Sequence, residues 1–223
     1  RPTQLMPPPL NPPFYTHQVK SNYRVYMKTK ISNTIVMLGL LTGLNSAFSQ
    51  SAQAAEPVWK INPEASSMNF KLKNMGQPVD GKFGKLSGDV TYDGKNLEQA
   101  TVKAKVDTAS IDTKNEKRDD HLRTKDFFDA TTFPVAEFNS SKIEVDKGGN
   151  FKILGTLNLH GVSQPVTLAA GPLKESVDGA GKKHLLANAT TEVERKKYSI
   201  GGLAAATISN EVAINLVIDL VQQ

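Results

Sequence analysis

Four consecutive residues, Arg118, Asp119, Asp120 and His121, carry the side chains of this sequence that are best suited to acid–base chemistry. A histidine paired with an aspartate can serve as the general base of a hydrolase. Successive residues of a helix point in different directions, however, and neither a cysteine nor a serine-elbow motif marks a nucleophile. Two interpretations stay open: hydrolysis through Asp119 or Asp120 with His121, or salt bridges and hydrogen bonds that fix this segment to the rest of the fold.

The histidines after residue 54 do not have the spacing of a metal site. His121, His160 and His184 lack the i, i+4 spacing of paired ligands on a helix and the i, i+2 spacing of paired ligands on a strand. The sequence contains no cysteine, which excludes thiolate ligands and thiol redox chemistry. We therefore expect no bound metal and no cofactor.

The charged cluster lies in an excursion, residues 110–134, between segments that have a strand pattern. Thr113-Lys114-Asn115-Glu116 fits a capping box, with Thr113 as the N-cap, and predicts a helix of about three turns that runs to Lys125. Phe127 and Phe128 follow it. An amphipathic insert with bulky aromatic residues, set in a chain of β pattern, predicts a plug or lid over a cavity.

A two-residue period of apolar side chains dominates from Trp59 onward, as in Met68-Asn69-Phe70-Lys71-Leu72. It returns near the end of the chain, where one long apolar face is formed by Val212, Ile214, Leu216, Ile218 and Leu220. Turn signals such as Asp93-Gly94 and Gly148-Gly149 separate about eight such segments. Short connections favour antiparallel neighbours over βαβ units. The pattern predicts an all-β domain, either a closed eight-stranded barrel or a sandwich.

A barrel of eight strands is just wide enough to hold one small ligand. The small residues Gly155, Ala104 and Ala170 fall on inward faces, where they would leave room that larger side chains would fill. Patterning alone does not decide between a hollow barrel and a filled core. A filled β-sandwich that acts as an interaction module therefore stays open as an alternative.

The first 54 residues do not have the pattern of this domain. Residues 27–54 have a basic start, a short apolar stretch and the A-x-A cleavage motif Ala52-Gln53-Ala54, which together predict a secretory signal peptide. Residues 1–26 are rich in proline and are predicted to be a disordered leader or a start-site artefact. Residues 55–223 then form one exported domain, which we expect in the periplasm.

The charge of the sequence is unevenly distributed. Residues 1–54 contain five basic and no acidic residues, which accounts for the whole formal net charge of +5. In the remaining domain the one tight basic run, Arg195-Lys196-Lys197, has Glu192 and Glu194 beside it. Nucleic-acid binding needs a basic patch on the folded domain. We therefore expect no nucleic-acid partner.

Short motifs between Trp59 and Leu220 are individually weak, but their order and spacing together are specific. They are Trp59-Lys60-Ile61, Phe70, Gly81-Lys82-Phe83, Ser110-Ile111-Asp112-Thr113, Arg118-Asp119-Asp120-His121-Leu122, Asp126-Phe127-Phe128-Asp129, Phe133-Pro134, Phe138, Gly155-Thr156-Leu157-Asn158-Leu159-His160-Gly161-Val162 and Pro165-Val166. On these motifs the chain resembles the YceI-like family of exported lipocalin-like proteins. The resemblance implies an antiparallel, eight-stranded barrel that encloses a long polyisoprenoid or other amphiphilic lipid, and a homodimer.

The chain departs from the family pattern in two places. The family commonly has an aspartate and a histidine near the first strand, where this chain has Asn62 and Ala65. After Arg195-Lys196-Lys197-Tyr198 the usual glycine is Ser199. An apolar tunnel needs neither the aspartate nor the histidine.

The hypothesis from the sequence is non-enzymatic binding, with carriage or storage, of an isoprenoid lipid such as a polyprenyl chain or a quinone, and with transient membrane contact. The predicted lining is Phe70, Phe83, Leu122, Phe127, Phe128, Phe138, Leu157 and Ile214. Arg118, Asp119 and His121 are predicted to orient the insert at the mouth of the barrel, and Arg195 with Tyr198 to contact a polar head group. The alternatives are a hydrolase of lipid-linked substrates, acting through Asp119 or Asp120 with His121, and the filled sandwich.

Overall fold

The computed structural model describes residues 58–223. The predicted leader, residues 1–26, and the predicted signal peptide, residues 27–54, lie outside the described residues, and both stay predictions. Within the described part of the chain, no helix combines the length and the apolar character that crossing a membrane requires.

The described residues form twelve β-strands, one α-helix and four short 3-10 helices. The strands are β1 (Val58–Ile61), β2 (Ser67–Asn74), β3 (Gln77–Phe83), β4 (Leu86–Thr91), β5 (Thr101–Asp107), β6 (Ile111–Asp112), β7 (Val135–Val145), β8 (Phe151–Leu159), β9 (Val162–Ala170), β10 (Lys174–Val177), β11 (Lys183–Glu194) and β12 (Glu211–Gln222). The α-helix is α1 (Glu116–Arg123), and the 3-10 helices are Leu97–Gln99, Thr108–Ser110, Arg195–Tyr198 and Leu203–Ala205.

Eight of these strands close into a ring in which each strand is antiparallel to its neighbours. The order round the ring is β11-β9-β8-β7-β5-β4-β1-β12, and a long pairing between β12 and β11 completes it. The strands β2, β3 and β6 extend the sheet from β12. The predicted all-β, eight-stranded antiparallel barrel with one helical insert is confirmed. The alternative of a two-layered sandwich is wrong, because the strands form one closed sheet.

The register of β12 defines the two ends of the barrel. Ala213, near the start of β12, lies opposite Lys71, so that the turn between β2 and β3 stands at this end. Val221, near the finish of β12, lies opposite His184 at the start of β11. We call the first of these the helix end, because α1 contributes to the wall of the cavity there, and the second the far end.

Two clusters of buried apolar residues lie inside the barrel, one toward each end. The cluster at the far end includes Trp59, Ile143 and Leu185. The cluster at the helix end includes Ile111 and Tyr198. Both clusters are formed largely by strand residues, because every second side chain of a strand points to the same face of the sheet, here the inside of the barrel.

The helical insert begins later and ends earlier than predicted. Helix α1 has Asn115 as its N-cap, whose side chain accepts a hydrogen bond from the amide of Arg118 at 3.0 Å. Thr113 is not the cap, because its hydroxyl donates to the carboxylate of Asp119 instead. A hydrogen bond to a charged acceptor is stronger than one between neutral groups. The predicted capping box at Thr113 is therefore wrong, and the helix ends at Arg123.

Candidate functional site

Two apolar cavities lie one after the other inside the barrel. The cavity toward the far end has a volume of about 160 Å³, and the cavity toward the helix end has a volume of about 150 Å³. Their walls share six residues: Met68, Val106, Ala136, Leu157, Val193 and Ile214. The two cavities therefore adjoin at this junction, and we call the two together the tunnel.

The insert supplies one wall of the cavity at the helix end. Leu122 of α1 and the following Phe127 and Phe128 line this cavity, and Phe127 is buried. The ring of Phe128 packs edge-on against Phe83 at a centroid distance of 5.6 Å, and Phe83 packs against Phe70 at the same distance. Edge-to-face and tilted aromatic pairs of this kind are favourable beyond the area that they bury. The insert thus adds an aromatic wall to a barrel of mostly aliphatic strands.

All eight residues predicted to line an apolar interior lie against it. Phe70, Phe83, Leu122, Phe127 and Phe128 line the cavity at the helix end, Phe138 lines the other cavity, and Leu157 and Ile214 line both. Contact with a ligand stays a prediction for each of them. The sequence interpretation missed the other members of the junction, Met68, Val106, Ala136 and Val193. Their inward faces were visible in the alternation, but the level that each one occupies along the barrel was not.

One expectation about small residues is wrong. Gly155 was predicted to leave open space inside the barrel, but a Cβ atom added there would meet the Phe138 ring, with Cε2 at 2.7 Å. The glycine makes room for that ring, and no cavity wall includes it. Ala104 and Ala170 do line the cavity toward the far end.

Hydrogen bonds of two charged residues, Arg118 and Asp119, hold the start of α1 to Thr113, the residue after β6. Arg118 donates from Nε to the Thr113 hydroxyl at 2.7 Å and from Nη2 to the Thr113 carbonyl at 2.8 Å. The buried carboxylate of Asp119 accepts from the Thr113 amide at 3.0 Å. Arg118 and Thr113 both line the cavity at the helix end, whereas Asp119 does not. These bonds fix the start of α1 at the edge of the tunnel.

The three residues of the hydrolase alternative do not converge. Asp119 is buried against Thr113, whereas Asp120 faces outward and accepts from Arg123 Nη1 at 2.9 Å. His121 is exposed, with Nε2 3.5 Å from Asp126 Oδ2. Its ring lies edge-on to Phe127 on the outer side of the insert, with centroids 5.0 Å apart, and it lines neither cavity. The geometry therefore assigns Asp119 and Asp120 to the fixing of the insert, and it pairs neither of them with His121.

Arg195 is buried at the helix end, and its guanidinium organises the segment that follows it. Nε donates to the carbonyl of Ser209 at 2.9 Å, Nη1 to Ile200 at 2.8 Å, and Nη2 to Ala205 and Ile208 at 2.8 Å each. Burial lowers the pKa of Arg195 from its ordinary value. Arg195 also lines the cavity at the helix end. If its guanidinium contacts a head group, as predicted, it must do so while it donates to these four carbonyls.

Tyr198 stands apart from the cavities. Its side chain is almost fully buried in the core cluster at the helix end, and it lines neither cavity. Burial raises the pKa of its phenol. Within residues 58–223 its hydroxyl has no hydrogen-bond partner. The contact of Tyr198 with a head group stays a prediction.

A polar cluster that the sequence interpretation did not foresee lies at the far end. His184 Nδ1 is 2.9 Å from the buried Asp219 carboxylate, and its Nε2 is 3.5 Å from Asp178. The hydrogen bond with Asp219 raises the pKa of His184 above its ordinary value, and Asp178 adds to the effect. Asn62, which stands where the family commonly has an aspartate, donates to Asp219 at 2.9 Å. Within residues 58–223, no group of three or more potential ligands has the geometry to hold a metal ion.

Comparison with known proteins assigns almost all of the described residues to one family. Residues 59–220 match the YceI-like domain family. A UPF0312 protein of Vibrio vulnificus is 36% identical over 169 residues, which cover 75% of this chain and 88% of that protein.

Solved structures agree with this match. The crystal structure of BcnA from Burkholderia cenocepacia aligns with a TM-score of 0.64 at 25% identity, over 71% of this chain and 98% of BcnA. A polyisoprenoid-binding domain from Saccharophagus degradans aligns with a TM-score of 0.56 at 19% identity, over 74% of this chain and 98% of that domain. The second likeness establishes a shared fold only.

Proposed function

This chain belongs to the YceI-like domain family, and from that premise we propose that it binds an isoprenoid lipid, a polyprenyl chain or a quinone, inside the barrel and carries or stores it without chemical conversion. The observation that carries the proposal is the tunnel, whose two cavities have almost entirely apolar walls. The few polar residues of these walls are too sparse to bind a hydrophilic ligand along the length of the tunnel. Walls of this kind match a hydrocarbon chain.

The energetics of burial favour such a guest. Each methylene group removed from water contributes about 0.8 kcal/mol. Ten such groups contribute roughly 8 kcal/mol, which is comparable with the association cost of about 4–15 kcal/mol. The gain from an isoprenoid chain of several units exceeds that cost, so that the barrel can keep such a chain out of water.

The polar atoms of the tunnel give the proposed ligand a direction. Arg118, Thr113, Thr108, Asn74 and Arg195 all line the cavity at the helix end. The cavity toward the far end is bounded mainly by aliphatic and aromatic side chains. We place the polar head of the lipid at the helix end and the tail toward the far end. The relative from Saccharophagus degradans, described as a polyisoprenoid-binding domain, supports this ligand class at the level of the fold.

The proposal extends to where the protein works. If residues 27–54 direct export, the barrel would work in the periplasm, between two membranes that exchange lipid. Transient contact with a membrane and a homodimeric state are parts of the same proposal. Both are measurable on the purified protein, by vesicle binding and by light scattering.

The test is native mass spectrometry of the protein purified from its own host, with organic extraction of what co-purifies. The variant Ala136→Phe places a ring at the junction of the two cavities, where Ala136 is buried. Its matched control is Val135→Phe, because Val135 is the neighbouring, exposed residue of β7.

We expect the unaltered protein and Val135→Phe to retain an isoprenoid mass that Ala136→Phe loses. Circular dichroism and thermal unfolding establish that the variants are folded. A wild-type protein without bound lipid, even after incubation with geranylgeraniol in detergent, would overturn the proposal. If Ala136→Phe and Val135→Phe retained the lipid equally, the tunnel would not be its binding site.

A further inference from the structure

Two turns at the helix end expose large apolar side chains to solvent. Met75 is 76% exposed in the turn between β2 and β3, and Leu203 is 97% exposed in the 3-10 helix Leu203–Ala205. Single exposed apolar residues are common. These two, however, project from turns that are bonded to each other, and we call the pair with its two turns the apolar rim.

The conformation of Met75 makes its presence harder to explain by folding alone. Met75 has φ 50° and the next residue, Gly76, has φ 77°. A hairpin turn with two positive φ values strongly prefers asparagine, aspartate or glycine, because other side chains are strained there. At this position methionine is unfavourable for the backbone of the turn, and its side chain is not buried in the core. We therefore look for a role of the Met75 side chain at the surface.

Hydrogen bonds hold the two turns side by side. The Met75 amide donates to the Thr207 carbonyl at 2.9 Å, and the Thr207 hydroxyl donates to Asn74 Oδ1 at 2.7 Å. Asn74 and Ile208 form a β-bridge between the turns. Both of these residues also line the cavity at the helix end. The apolar rim is therefore one unit and is continuous with the wall of the tunnel.

The charge around the rim is positive. Residues 71–80 and 194–211 carry five basic side chains against three acidic ones, a net charge of +2; the basic residues are Lys71, Lys73, Arg195, Lys196 and Lys197, and the acidic residues are Asp80, Glu194 and Glu211. Lys197 is paired with Glu194, whereas Lys73 and Lys196 are exposed and enter no ion pair within residues 58–223. Anionic lipid head groups attract basic side chains near the bilayer surface, and apolar side chains enter the boundary beneath the head groups.

We propose that the apolar rim docks on the surface of an anionic phospholipid bilayer, with Met75 and Leu203 inserted below the head groups and Lys73 and Lys196 beside the phosphates. The inference rests on the proposed function, because docking at this end brings the helix end of the tunnel to the membrane that supplies or receives the lipid. The binding partner that we propose for the apolar rim is the phospholipid bilayer.

The first experiment is flotation of the full chain with vesicles of phosphatidylethanolamine and phosphatidylglycerol. The double variant Met75→Ser, Leu203→Ser should lower vesicle partitioning by about tenfold or more, because two apolar side chains no longer leave water. The matched control is Val177→Ser, since Val177 is 63% exposed in β10 near the far end. Vesicles of phosphatidylcholine alone should bind the wild-type chain more weakly, because they lack the anionic charge.

The second experiment places a reporter in the rim. In Leu203→Trp, the fluorescence of the new indole should shift to the blue on addition of the anionic vesicles, whereas in Val177→Trp it should not. The native Trp59 is buried and contributes a constant background. No shift in Leu203→Trp, or an equal shift in both variants, would overturn the docking proposal.

The outcomes separate docking from lipid binding. The double variant should still take up geranylgeraniol from detergent micelles, because neither substituted side chain lines the tunnel. If the wild-type chain cannot be loaded from micelles, the proposed function fails. If loading succeeds but the double variant floats like the wild type, docking by the rim fails alone. A change of oligomeric state in the double variant, measured by light scattering, would assign the rim to protein contact and would also overturn docking.

Discussion

The ring of Phe70 lies directly over the backbone of Gly81, its antiparallel partner across β2 and β3. A Cβ atom at Gly81 would approach Phe70 Cε1 to 2.7 Å and Cε2 to 2.8 Å. Because the glycine has no side chain, the ring can lie flat here and form the wall of the cavity at the helix end beside Phe83.

Replacing this glycine should disturb the wall of the tunnel. In Gly81→Ala the new methyl group displaces the Phe70 ring, and we expect a loss of roughly 1–3 kcal/mol in the free energy of unfolding, as for other overpacked cores. Retention of isoprenoid lipid should fall with it. Gly84→Ala is the control, because the nearest heavy atom to a Cβ there is the Ser110 carbonyl oxygen at 3.7 Å. Urea unfolding and native mass spectrometry measure the two effects, and equal stability of the two variants would contradict the prediction.

The buried carboxylate of Asp119 should control how firmly the insert is held. Asp119→Ala leaves the Thr113 amide and hydroxyl without their acceptor, at an expected cost of about 1–3 kcal/mol. Amide hydrogen exchange should accelerate in residues 113–130 more than in the strands of the ring, and bound lipid should exchange faster. Asp120→Ala is the control, since Asp120 is exposed and pairs only with Arg123 among the described residues. If amide hydrogen exchange accelerated equally in both variants, Asp119 would not be the residue that holds the insert in place.

The cluster at the far end predicts a pH dependence of stability. The hydrogen bond with Asp219 raises the pKa of His184 above its ordinary value of 6.5. The protonated form is thus favoured in the folded protein, and the stabilisation is fully present below the pKa of the unfolded chain. It is lost as the pH rises through the higher pKa of the folded state. The unfolding temperature should therefore fall across that interval.

The variant His184→Gln tests the assignment, because it should remove this component of the pH dependence. His121→Gln is the control, since His121 is an exposed histidine of the insert. Thermal unfolding at constant ionic strength, recorded across the pH range in which histidines titrate, gives the comparison. A wild-type profile that persists unchanged in His184→Gln would contradict the role of this residue.

Several features of the fold could be predicted because they depend on local pattern. The alternation in β12 predicts which side chains face inward, and Phe127 with Phe128 predicts an aromatic wall. Alternation does not reveal the level of a residue along a tilted strand. The junction residue Ala136 was missed for that reason, and the contact of Phe138 with Gly155 depends on a diagonal approach across β7 and β8.

Other features could not be predicted because they join distant parts of the chain. His184 and Asp219 are 35 positions apart and meet only because β11 and β12 close the ring. The helix cap at Asn115 replaced the one predicted at Thr113, since the competing acceptor, Asp119, is brought to Thr113 by the fold of the insert itself. Local capping rules consider the helix alone and do not include such a competitor.

Ser199 occupies a backbone conformation that suits the glycine of the family pattern. It follows the 3-10 helix Arg195–Tyr198 with φ 58° and ψ 27°, and its amide donates to the Lys196 carbonyl at 3.1 Å. This left-handed conformation costs a residue with a side chain roughly 1–2 kcal/mol, while a glycine costs about 0.5–1 kcal/mol more in chain entropy on folding. The first effect is the larger, so Ser199→Gly should stabilise the barrel by about 0.5 kcal/mol. A matched control is Ser87→Gly in β4, because Ser87 is exposed on an extended strand, where glycine is unfavourable. The urea midpoint should rise in the first variant and fall in the second, and a fall in both would show that the segment after Arg195 is not strained at Ser199.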